Sequence, residues 1–336
     1  MSEEIKETKP KKKHKVGRTI LKILGIILLI IVILIAVLTI RHRILSKRDR
    51  AFAANAYGEY YTTADGVRMN YTIIDNGLDE TAVILPGYGC ATVRYEFDSF
   101  ITELRDQFNF VLVEPLGYGL SDEAVTERSV SNYCEELHGL LESIDRTDCT
   151  LIAHSIGGLY ALNYANMYPD EVQGFIGIDA SVPRQGDMDN FTSKPENVYK
   201  LYKIMRPLLY GSGINRLMRE LSFEQTAAQI PTLQGEDLEK AKALFFLEGI
   251  NDTLMDEMRM LGTNFRTCHD MKFPESVPVL YVLAKDNCNM MPEWEGLHKE
   301  LVTNPESKVV VIEGAHYLHL TSLKKLANEI RNWRAA

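Results

Sequence analysis

Residues 149–159 read Cys-Thr-Leu-Ile-Ala-His-Ser-Ile-Gly-Gly-Leu. An apolar, β-prone run ends at a serine, two glycines follow almost at once, and a helical pattern starts behind them. The stretch predicts a strand, a sharp turn and a helix, with Ser155 at the apex. A side chain held at such an apex stands clear of the backbone at a strained φ. The crowding this causes calls for small residues two positions to either side, and Ala153 and Gly157 supply them. The helix behind Ser155 turns its positive end toward it, where a developing oxyanion is favoured. Ser155 is therefore a candidate nucleophile. Taken alone, the pattern also describes a strand–helix turn with an incidental serine.

The surrounding chain gives the turn its context. Upstream, Gly58–Thr62 and Val67–Ile74 flank the turn Ala64-Asp65-Gly66 and read as an opening hairpin. Thr81–Leu85 and Phe108–Val113 read as buried strands, with helical spacing over Thr92–Gln107 between them and over Val130–Ile144 after them. Downstream of the helix Ile156–Met167 come strands at Val172–Ile178, Val277–Leu283 and Lys308–Ile312, and helices at Pro292–Leu301 and Thr321–Trp333. Buried strands alternating with amphipathic helices predict an α/β architecture with a mainly parallel sheet covered on both faces. The interval 183–275 is too long for a loop and keeps helical spacing, as in Leu201, Ile204, Met205 and Leu208. It reads as a helical cap inserted in a core of residues 57–182 and 276–336. Seven of the chain's 12 methionines fall within it, which suits either ordinary helical packing or an adaptable apolar roof over a pocket.

Charge is divided unevenly along the 336 residues. Residues 1–50 carry 13 Lys and Arg against 4 Asp and Glu, whereas the remainder carries 24 against 42. An acidic folded part argues against a nucleic-acid partner. Ile23–Ile40 is 18 residues without a charge, and Lys22 can snorkel, so residues 19–40 are expected to be a transmembrane anchor. Basic residues, not a small-residue cleavage site, follow the span, so an uncleaved anchor fits better than a signal peptide. The heavier basic cluster lies in 1–18, which is expected to be cytoplasmic, with 41–56 a polar linker to a catalytic domain outside. Five cysteines (90, 134, 149, 268, 288) form no CxxC pair; a Cys268–Cys288 disulfide is conceivable.

A serine nucleophile needs a base, a group that orients the base, and donors for the oxyanion. Asp286 follows the strand Val277–Leu283, and His316 follows Lys308–Ile312, so both stand beyond strand ends. The amides of Tyr88, in Gly87-Tyr88-Gly89, and of Ile156 are the expected oxyanion donors.

Four segments now stand in order: Leu85-Pro86-Gly87-Tyr88-Gly89, Glu114-Pro115-Leu116-Gly117-Tyr118-Gly119-Leu120-Ser121-Asp122, Ala153-His154-Ser155-Ile156-Gly157-Gly158 and Gly314-Ala315-His316. With them the chain resembles the α/β-hydrolase superfamily in its cap-bearing, serine esterase- and lipase-like branch, over about residues 58–334. Pro86, Glu114 and Ala153 depart from the family's usual His, Asp and Gly without removing a catalytic group. The resemblance implies a triad of Ser155, His316 and Asp286. Asp179, at the end of the preceding strand, is the alternative acid, because some members use that position. His154 is expected to pack, and Tyr118 and Ser121 to hold their loop. His319 is expected toward the next helix; no third ligand joins it and His316, and neither a metal nor a cofactor is expected.

Serine in place of Asp argues against epoxide-hydrolase and dehalogenase chemistry and for an acyl-enzyme; the apolar cap and the position at a membrane point to cleavage of a carboxylic ester with an apolar acyl part. An aminopeptidase similar to the proline iminopeptidases, and a catalytically inactive, membrane-tethered binding protein, are the rival readings.

Overall fold

Strand periodicity decides which face each apolar residue covers, and so where helices must lie. The computed structural model describes residues 13–188, 195–247 and 249–335. A long helix, α1 (Lys13–Ala53), precedes strands β1 (Glu59–Thr62), β2 (Arg68–Ile74) and β3 (Thr81–Leu85). Short helices α2 (Val93–Glu96) and α3 (Asp98–Leu104) lead to β4 (Asn109–Val113), and α4 (Val130–Ser143) leads to β5 (Cys149–His154). Helix α5 (Gly157–Met167) and β6 (Val172–Ile178) follow. Among the described residues four α-helices then separate β6 from β7 (Val279–Ala284): α6 (Pro195–Arg206), α7 (Ile214–Ala227), α8 (Gly235–Leu247) and α9 (Asp252–Cys268). The chain closes with α10 (Lys285–Met290), α11 (Trp294–Lys299), β8 (Lys308–Ile312), α12 (Leu318–Thr321) and α13 (Leu323–Arg334).

The strands form one eight-stranded sheet in the order β1-β2-β4-β3-β5-β6-β7-β8. Only β2 pairs antiparallel, with β1 and β4; the other pairs are parallel. Alternate residues serve opposite faces. Val83, Leu85, Val111, Val113 and Leu151 join a core with α4 and α5, while Ala82, Ile84, Phe110, Leu112 and Ile152 join one with α3 and α13. Chain order reverses between β3 and β5, and in such sheets the crevice beyond these strand ends is where ligands bind.

The expected helix over 92–107 is two short ones broken at Phe97, with Thr92 capping the first by accepting from the Tyr95 amide. Most of the described residues between β6 and β7 are helical.

Residues 41–56 are a different matter. The expected linker is helical through Ala53 and built into the protein. Ser46, Asp49 and Ala53 are buried. Asp49 takes a buried bond from Arg216 on α7 at 2.5 Å, and Arg41 pairs with Glu220 at 2.7 Å. Ala53 joins an apolar cluster with Tyr95, Ile230, Leu233 and Leu244. Gly213 has φ +81° and lies so close to α1 that a Cβ there would stand 2.5 Å from the His42 Cβ. Charged residues made this segment look solvated, but the partners that bury them lie on α7, far along the chain. The apolar window of α1 is long enough to cross a membrane and is not buried within the protein. Residues 1–12, most of the expected basic tail, lie outside the described residues.

Candidate active site

The elbow takes the strained form that its sequence demands. Ser155 sits at φ +53°, between the end of β5 and the start of α5. A Cβ on Gly157 would come within 2.8 Å of the Pro86 carbonyl oxygen, so only glycine lets the turn pass the end of β3. On the other side a Cβ on Gly87 would meet the Ser155 Cβ at 3.1 Å. The Gly87-Tyr88-Gly89 turn therefore runs alongside the serine. Among the described residues, no hydrogen bond uses the Tyr88 or Ile156 amide.

His316 comes in from the loop after β8, and its Nε2 lies 3.0 Å from Ser155 Oγ. Its Nδ1 lies 2.7 Å from Oδ2 of Asp179, not from Asp286. This corrects the expectation that Asp286 orients His316. Asp286, in the first turn of α10, has its side chain exposed, and its amide donates to the Gly314 carbonyl at 3.3 Å. Asp179, at the end of β6 with φ +42°, is fully buried. Its Oδ1 accepts from the Ala284 amide and the Trp294 indole, each at 3.0 Å, and Asn287 Nδ2 donates to Oδ2. Ala284 and Asn287 lie at the end of β7 and in α10. The segment expected to supply the acid instead supplies donors that hold it. Neither Asn287 nor Trp294 carries a sequence signal that singles it out.

His154 is buried and packs against His316, Tyr317 and His319, with ring centroids 4.6, 4.9 and 4.8 Å away. Burial, with the two neighbouring histidines, lowers its pKa well below the usual histidine value. Glu96, His154 and His319 each bring one possible metal-ligand atom within 4.8 Å of the others. The group includes His319 but not His316. Glu96 already accepts from the Cys90 thiol and contacts His319, each at 3.3 Å. Cys268 and Cys288 both carry thiols, so the conceivable disulfide is not formed.

A buried carboxylate that the sequence reading passed over ties the cap to this site. Glu257, on α9, accepts from the Tyr118 hydroxyl at 2.7 Å and the Tyr160 hydroxyl at 2.6 Å. Burial raises its pKa. The Gly89 amide in turn reaches the Tyr118 oxygen at 3.5 Å, linking α9 to the loop beside Ser155. Ser121 accepts from the Asn70 amide at 2.8 Å and donates to the Glu114 carbonyl at 2.5 Å, fastening the second loop.

A cavity of about 580 Å³ opens over Ser155. Its roof is apolar and comes from the cap, with Met218, Phe223, Ile230, Leu233, Ala241 and Phe245 among its lining. Of the cap methionines only Met218 lines it; Met255, Met258 and Met260 are buried along α9. A larger cleft of about 1080 Å³ lies between the end of α1, the 117–123 loop and the cap, and reaches neither Ser155 nor His316.

Known proteins match this architecture. An uncharacterized protein of Bacillus subtilis, YbdG, is 26% identical over 226 residues, covering 67% of this chain and 68% of its own. An esterase from Thermogutta terrifontis superposes with a TM-score of 0.58 at 18% identity, covering 83% of this chain and 98% of that one. An epoxide hydrolase from Bacillus megaterium gives 0.63 at 19%, covering 83% and 100%. At such identities the structural likeness is one of fold. A family model for the alpha/beta hydrolase fold matches residues 83–323, and the chain belongs to that family.

Proposed function

We propose that the protein is a serine hydrolase that cleaves carboxylic esters through an acyl-enzyme, held at a membrane by α1. The observation that carries this reading is the run of contacts from Ser155 Oγ through His316 to Asp179. Nε2 of His316 takes the Ser155 proton as Oγ attacks the carbonyl carbon, and the Tyr88 and Ile156 amides receive the oxyanion. As the tetrahedral intermediate collapses, the C–O bond to the alcohol breaks and Nε2 returns the proton to the departing oxygen. Water then gives a proton to Nε2 and attacks the acyl carbon; as the Oγ–C bond breaks, Nε2 passes that proton to Oγ, releasing the acid and restoring Ser155. Asp179 keeps the other proton on Nδ1 and stabilises the imidazolium. Epoxide opening through a covalent ester needs a carboxylate in the nucleophile's place, and a serine stands there.

The apolar roof favours an apolar acyl group, each methylene withdrawn from water contributing about 0.8 kcal/mol. Support for the membrane comes from the unburied apolar window of α1 and the basic residues on both sides of it; the heavier N-terminal cluster favours an N-terminus in the cytoplasm and the hydrolase outside. The test is a fluorophosphonate probe and an ester and aminopeptide panel on wild type and Ser155→Ala. Labelling and ester turnover should both vanish in the variant. Unchanged ester turnover would end the proposal.

A further inference from the structure

The cap is clamped to α1 where its apolar segment ends. Gly213 rests against the Leu38 carbonyl and the His42 side chain, and the Arg41–Glu220 and Asp49–Arg216 pairs fix α7 beside the same turns. At this level the cap shows apolar side chains to the outside. On α6 and the turn after it Leu201, Ile204 and Leu208 are 58, 75 and 44% exposed, and on α7 Met218 and Leu221 are 61 and 80% exposed. Val37, Ile40 and Ile44 of α1 are exposed as well. Lys200, Lys203 and Arg206 share α6 with the apolar residues, and Arg41, Arg43 and Lys47 follow the span. Apolar side chains beside basic ones are how a helix lying in a membrane interface is built. Met218 belongs to this surface and also to the lining of the cavity over Ser155.

We infer that the α6–α7 face of the cap lies in the surface of the bilayer that α1 crosses, so that the cavity opens at Met218 against the lipid and Ser155 receives acyl esters from the membrane. The inference rests on the proposed function for its substrate and its anchor. The bilayer is the occupant because the clamp sets this face at the end of the same helix whose apolar window the protein leaves bare. An amphiphile there can slide its acyl chain into the cavity without passing through water, where each methylene would be exposed again.

The test uses the full chain in vesicles of phosphatidylcholine and phosphatidylglycerol. In Leu221→Trp, lipids brominated along their chains should quench emission beyond the wild-type signal of Trp294 and Trp333. Ile204→Asp combined with Leu221→Asp should lower hydrolysis of a long-chain ester embedded in the vesicles by about tenfold or more. Hydrolysis of a water-soluble short-chain ester and phosphonate labelling should stay unchanged in that variant, since neither position lines the cavity. Absence of extra quenching in a protein that stays with the vesicles through an alkaline wash would overturn the inference and spare the anchor. Release by that wash would overturn both. If wild type takes no phosphonate, the esterase reading falls, and quenching still decides the docking face.

Discussion

Replacing Asp179 by Asn tests the site most sharply, because the structure dictates how the amide must sit. Oδ1 of Asp179 accepts two bonds from fixed donors, the Ala284 amide and the Trp294 indole. The Asn carbonyl oxygen has to take that place, which turns the new NH₂ toward the position of Oδ2. There it faces Asn287 Nδ2 and His316 Nδ1. His316 relieves the clash of donors by moving its proton to Nε2, where it points at Ser155 Oγ and can no longer accept the serine proton. A wrong tautomer of this kind costs about 10⁴-fold in kcat, or roughly 5 kcal/mol of transition-state stabilisation. The assay is steady-state turnover of a soluble short-chain ester, with the rate of phosphonate labelling as a second readout. Asp286→Asn, on an exposed side chain, should change kcat by less than about twofold. If Asp286→Asn proves the more damaging, or Asp179→Asn keeps more than about a tenth of the wild-type kcat, the reasoning fails.

Other consequences are open to direct measurement. Glu257 is buried with a raised pKa, so its contribution to stability is complete below the unfolded carboxyl value and declines as pH rises through the folded value. Glu257→Gln titrates nowhere, so the Tm of wild type should fall relative to the variant as pH rises above the ordinary carboxyl range, and parallel Tm curves would remove Glu257 as the cause. Asp49→Ala takes one of two carboxylates from the buried Arg216 guanidinium, leaving Glu220, and should cost about 2 kcal/mol, read as a lower denaturation midpoint of the full chain; a change below about 0.5 kcal/mol would mean the pair contributes nothing. Along a series of saturated acyl esters kcat/KM should rise about fourfold per methylene until the cavity is full, and Phe245→Ala should move that limit to longer chains; a flat series would argue for a small polar substrate.

The sheet was legible because its strands are short, apolar and bounded by glycine, proline or polar residues, and the elbow because few residue orders satisfy a strained turn. Even the pairing of Ser155 with His316 followed from strand ends in a parallel sheet. The acid did not. Asp179 and Asp286 both close apolar strands, and nothing local separates them. What does is that the chain after β7 enters a helix at once, leaving Asp286 in solvent, while Asn287, Trp294 and the Ala284 amide converge on Asp179 from residues more than a hundred positions away. The methionines of the cap show a second limit. Helical spacing reveals that a face is apolar, but only the packed structure tells whether it covers a core, as Met258 does, or a cavity, as Met218 does.

The seating of α1 against α7 also bears on where this protein can be cut. A fragment beginning at residue 57, the boundary suggested by charge and hydropathy, would lose Asp49 and uncover Arg216, which the full chain buries against it. It would also strip Ala53 from its cluster with Tyr95 and Leu244 and bare the flank of the cap. Such a fragment would be prone to loosen around the roof of its own cavity. A fragment starting near Arg41 keeps the ion pairs and that cluster and discards the basic tail and the apolar segment. Recombinant work on the isolated hydrolase should therefore begin inside the helix rather than after it.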